Sequence, residues 1–102
     1  MTNNFLVILG FSKMQSRIGS ISWLKEHGAV HVIGNVYLLN GAYQFAGDIV
    51  HALEGYGDFG GEVAVLQLTK GMDFGGLGIS DKAIEWLNAN LEAGLQLGDT
   101  EE

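Results

Sequence analysis

The order of apolar periods along this chain predicts an α+β fold, β-α-β-β-α-β with an additional C-terminal helix. Three observations carry that expectation. Phe5 to Leu9 is an uninterrupted apolar run of strand length. Gly34-Asn35 separates two β-rich runs by two residues that both tolerate positive φ, the signature of a tight hairpin. Between and after these runs, apolar residues return at helical spacing.

The first strand ends at Gly10. Met14, Ile18, Ile21 and Leu24 then step by four, three and three, one stripe of a helix that Gly28 closes, with Lys13, Arg17 and Lys25 away from the stripe. Ala29 to Ile33 and Val36 to Leu39 form the hairpin strands. Ala46, Ile49, Val50 and Leu53 place a second helix before the glycine-rich stretch Gly55 to Gly61. Val63 to Leu68 is a fourth strand, and Gly71 to Gly78 is a second glycine-rich stretch, expected as a loop. Ser80 and Asp81 suit the N-cap and first turn of a last helix, because a hydroxyl accepts from a free N–H and a carboxylate complements the dipole. That helix carries Ile84, Leu87 and Leu91 and is expected to stop near Gly94.

This order is the ferredoxin-like split βαβ arrangement, with a four-stranded antiparallel sheet and both long helices on one face. Residues 1–97 read as a single such domain and residues 98–102 as an acidic tail. The first, third and last strands have no polar face, yet two helices cover only one side. The other side would expose large apolar residues whose burial is worth about 1.5–3 kcal/mol each. A sheet-to-sheet homodimer is the simplest cover, and the last helix folding back over its own sheet is the rival.

Composition limits the function classes. The 102 residues contain no Cys, which excludes disulfide scaffolds, cysteine-ligated metals and thiol chemistry. No apolar run reaches the ~18–20 residues of a membrane span, and Met1 to Asn4 lacks a basic leader region, so a cytoplasmic protein is expected. Residues 1–51 carry a net charge of +1 and residues 52–102 a net of −8. With five Lys and Arg in all, weak or absent binding to double-stranded DNA is expected.

The motifs are few. Asp-Phe-Gly-Gly occurs at Asp58 to Gly61 and again at Asp73 to Gly76, but the chain has no room for the other parts of a kinase. His27, His31 and His51 show no metal-ligand spacing. Ser12, Lys13, Ser16 and Arg17, around the start of the first helix, form a candidate anion-binding group.

The opening strand Phe5-Leu6-Val7, the helix end Leu24-Lys25-Glu26-His27-Gly28-Ala29, the strand pair through Tyr37-Leu38-Leu39, the strand Val63 to Leu68 and the closing Ala83-Ile84-Glu85-Trp86-Leu87 together resemble the CRISPR-associated protein 2 superfamily, in particular its small stand-alone members. The resemblance covers nearly the whole chain. It implies a ferredoxin-like fold and a homodimer, with the segment after the last strand often adding to the partner's sheet. In that family a Tyr-Asp-Leu ends the first strand, and its Asp is the proposed magnesium ligand of a nuclease. Here Leu9-Gly10-Phe11 stands in its place, and glycine has no ligand atom.

The expectation that follows is a non-catalytic homodimeric adaptor, binding a protein partner or nucleic acid through a limited patch, with no metal or cofactor. One alternative is a magnesium-dependent endonuclease using Asp58 or Asp73 as replacement carboxylates. The other is an acidic decoy or inhibitor of a nucleic-acid-binding protein.

Overall fold

The computed structural model describes residues 2–10, 14–55, 62–91 and 94–97, the side chains of 14–18, 73–74 and 94–97 excepted. Its strands and helices are β1 (Asn3–Gly10), α1 (Met14–Glu26), β2 (Val30–Ile33), β3 (Val36–Gly41), α2 (Ala46–Glu54), β4 (Glu62–Leu68), β5 (Asp73–Gly76), α3 (Asp81–Asn90) and β6 (Gly94–Leu97). The first four strands form a sheet of order β2-β3-β1-β4 in which every neighbouring pair is antiparallel. With its helices and the C-terminal α3, this is the ferredoxin-like α+β topology the apolar periods predict.

Local chemistry sets the element boundaries. Gly28 takes φ +79 and Gly34 φ +54, so the exit from α1 and the β2-β3 hairpin both use the left-handed region that glycine enters without a Cβ clash. The hairpin closes with Ile33 opposite Val36, and a bulge separates that pair from His31 opposite Tyr37. At the start of α2 the Asp48 carboxylate accepts from the Phe45 N–H at 3.0 Å. At the start of α3, Ser80 Oγ accepts from the Ala83 N–H at 3.2 Å and donates to the His31 carbonyl at 2.6 Å. One hydroxyl therefore caps the helix and ties it to β2.

Strand alternation splits the apolar residues into two cores. Phe5, Val7 and Leu9 of β1 point with Tyr37 and Leu39 of β3 toward α1 and α2, where Trp23, Leu24, Ile49 and Leu53 meet them. Val65, which pairs with Val7, packs on this helix-covered side and not on the opposite face. On the other face Val32 and Leu38 pack against Ala83, Leu87 and Leu91. The last helix does fold back over its own sheet, so the rival cover is present over part of that face.

Two expectations need correction. The stretch Gly71 to Gly78 is not loop throughout, because Asp73–Gly76 is β5 and pairs in parallel with β6, from Asp73 opposite Gly94 to Gly76 opposite Leu97. The last helix ends at Asn90, short of Gly94, which begins β6. Half of β5 is glycine, which lacks the side chain whose packing gives a strand its sequence signal, and β6 is only four residues long, so backbone pairing reveals both elements.

Tyr43 closes one end of the first core, edge-on to Phe5 at 6.3 Å between ring centroids and 6.4 Å from Trp23. Burial pushes its phenol pKa up from the ordinary value. This ring lies where a side chain at position 41 would go: a Cβ on Gly41 would stand 2.6 Å from Tyr43 Cε2. Gly41→Ala is therefore expected to displace the ring and destabilise the fold by about 1–3 kcal/mol, read from a urea unfolding midpoint. An unchanged midpoint would show that Tyr43 moves aside freely.

Candidate surface and clefts

The face under α3 has three zones, each a row of cross-strand neighbours. At one end Asn40 Nδ2 donates to Asn4 Oδ1 at 2.7 Å, and Asn4 Nδ2 donates to the Asn90 carbonyl at 3.4 Å, holding the C-terminal end of α3. The middle row runs Val30, Leu38, Leu6, Leu66 from β2 to β4. The far row runs Ile33, Val36, Ile8, Ala64. Ala83, Leu87 and Leu91 of α3 form one buried cluster with Val32 and Leu38, against which Leu6, Val30, Val36 and Leu68 pack. The helix does not reach the rest: Ile8 remains 38% exposed, Leu66 49% and Ile33 49%. An apolar strip thus crosses the sheet beside α3, from the end of β2 to β4.

Beside this strip, Gly10 pairs with Glu62. A Cβ at Gly10 would lie 2.9 Å from Glu62 Oε1, so a carboxylate from β4 occupies the space above the end of β1. Sequence reasoning missed this residue. Glu62 is 52 positions from Gly10 along the chain, and only the β1-β4 register brings the two together.

Clefts among the described residues lie elsewhere. One of about 340 Å³ is lined by His27, Leu39, Asn40, Gly41, Ala42 and Tyr43. Its His27 ring stacks on Trp23 at 4.0 Å, and His27 Nδ1 donates to the Trp23 carbonyl at 2.7 Å. Another, of about 370 Å³, lies between the last turn of α1, the edge of β2 and the start of α3, and its lining includes Lys25, His31, Tyr37, Ser80 and Lys82.

Ser12, Lys13 and Asp58 lie outside the described residues, and Ser16 and Arg17 stand in the first turns of α1 with their side chains outside them. Asp73 opens β5, its side chain likewise outside. Among the described residues no group of three or more His, Cys, Asp or Glu side chains could hold a metal ion, and no helix is long and apolar enough to cross a membrane. Compared with known proteins, the chain matches no family model, no curated protein and no solved structure.

Proposed function

We propose that this chain is a non-catalytic homodimeric adaptor, similar to CRISPR-associated protein 2, acting in the cytoplasm on a protein partner or on nucleic acid through a limited patch. The observation that carries the reading is the apolar strip of Ile33, Ile8, Ala64 and Leu66, left open by a helix that covers the rest of the same face. A twofold axis through the strip would bring two copies together, each removing the other's Ile8 and Leu66 from water. The largely uncharged strip favours a second copy of the chain over a charged partner.

Isotope-filtered NMR on a mixture of labelled and unlabelled chains tests this arrangement. Methyl contacts from Ile8 and Leu66 to the other copy are expected. Intermolecular contacts made only by α1 or α2 would place the interface on the wrong face.

The endonuclease alternative has one observation in its favour, the Glu62 carboxylate above Gly10. Magnesium is commonly held by one or two carboxylates together with substrate phosphates, so a single Glu per copy is a thin ligand set. Purified protein with magnesium or manganese is expected to leave labelled RNA and DNA intact. Cleavage that disappears in Glu62→Gln would instead identify a nuclease and locate its metal ligand.

A further inference from the structure

The cleft between α1, β2 and α3 gathers cations from distant parts of a chain whose formal charge is −7. Lys25 comes from the last turn of α1 and Lys82 from the first turn of α3, 57 positions later. The sole ion pair among the described residues joins His51 and Glu54, so neither ammonium group is neutralised by a described carboxylate. None of the described residues lining the cleft is acidic.

His31 and Tyr37 form the wall between the lysines, paired across β2 and β3 with ring centroids 5.0 Å apart. His31 Nε2 lies 2.7 Å from the Gly34 carbonyl, which can only accept, so Nε2 carries the proton of that bond and Nδ1 is the nitrogen left over. Tyr37 is a different kind of group. Only 7% of it is exposed, it lines the cleft, and among the described residues its hydroxyl has no hydrogen-bond partner. The hydroxyl is thus free to donate to a molecule bound in the cleft.

We infer that this cleft binds the phosphate group of a small molecule, with Lys25 and Lys82 flanking the phosphate and the Tyr37 hydroxyl donating to one of its oxygens. Two ammonium groups and a phenol give the cleft a surplus of donors and of positive charge, which favours an anion over a cation. The cleft's volume, about 370 Å³, falls at the small end of ligand pockets and suits a mononucleotide-sized phosphate ester or inorganic phosphate. The site is independent of the dimer reading, because it uses neither Ile8 nor Leu66. Its described lining includes none of Ser12, Lys13, Ser16 and Arg17.

The test is titration of the full chain with sodium phosphate, and in parallel with adenosine monophosphate, in low-salt chloride buffer, followed by calorimetry and by the NMR signals of the His31 and Tyr37 rings. Saturable binding with shifts at both rings is expected. Stronger binding of the nucleotide would identify an ester as the ligand, and equal binding would identify phosphate alone. Lys25→Ala with Lys82→Ala should weaken binding about tenfold or more, and Tyr37→Phe by a few-fold, with the circular dichroism spectrum unchanged. Lys70→Ala, outside the cleft, should leave it unchanged. Absence of saturation at millimolar phosphate, or equal losses in Lys70→Ala, would overturn the assignment. So would binding confined to single-stranded oligonucleotides, which would make the patch a nucleic-acid surface.

Discussion

Leu87→Ala is expected to cost about 2–5 kcal/mol of folding stability, enough to bring a domain of this size close to unfolding. Leu87 is fully buried and sits among Val32, Leu38, Ala83 and Leu91, a cluster with few members. The sheet beneath it is already fixed from the other side by α1 and α2, so the backbone cannot collapse to fill the cavity. The loss should fall unevenly. Phe5, Trp23, Leu24 and Ile49 belong to the core on the opposite face, so α3 should loosen before the four-stranded sheet does. Amide exchange would then accelerate in Asp81–Asn90 more than in β1, and urea denaturation would show the lower midpoint. A loss below about 1 kcal/mol would mean that α3 contributes little to the fold.

The second large effect concerns neighbours on one strand. Leu66→Asp should dissociate the dimer and leave the protomer folded, whereas Val65→Asp should prevent folding. Both residues lie on β4, one position apart, and therefore point to opposite faces. Val65 packs against the core under α1 and α2, where an unpaired carboxylate costs several kcal/mol. Leu66 is half exposed in the protomer, so a carboxylate there is already hydrated. In a twofold dimer each substitution acts twice, and a central contact worth about 2 kcal/mol per copy would raise the dissociation constant roughly a thousandfold. Thermal unfolding of the two variants, compared with their sedimentation, separates the effects. If Leu66→Asp unfolds and Val65→Asp does not, the face assignment is reversed.

The strands and helices that build the main sheet were legible in the sequence because each is announced by a local period or a turn residue. Phe5 to Leu9, the Gly34-Asn35 turn and the Ser80 cap all stand where they were expected. What was not legible depends on pairing between remote segments. β5 and β6 are four residues each, and the Leu95-Gln96-Leu97 alternation of β6 is too short to mark a strand by itself. The two ways of covering the second face could not be separated by pattern, since Leu87 and Leu91 would serve either a partner or their own sheet; the structure packs them on Val32 and Leu38. The apolar side was thus predicted correctly, but α3 leaves only a strip of it open.

The candidate sites follow the same division. Glu62 above Gly10 is a product of the β1-β4 register, and the Lys25–Lys82 cleft is a product of where α3 begins relative to β2. No spacing rule connects residues so far apart. The signals available in the sequence were indirect: a lysine in the last turn of one helix, another in the first turn of a second, and a histidine on an edge strand. By contrast, Ser12, Lys13, Ser16 and Arg17 are grouped by a local signal, their place around the start of the first helix, where free N–H groups favour an anion.

The central claim is self-association through the open strip, and sedimentation equilibrium of the unmodified chain at micromolar concentrations tests it most directly. The account predicts a particle of twice the 10.9 kDa chain mass, reverting to the single-chain mass in Leu66→Asp. A chain that remains at 10.9 kDa throughout the micromolar range would contradict it.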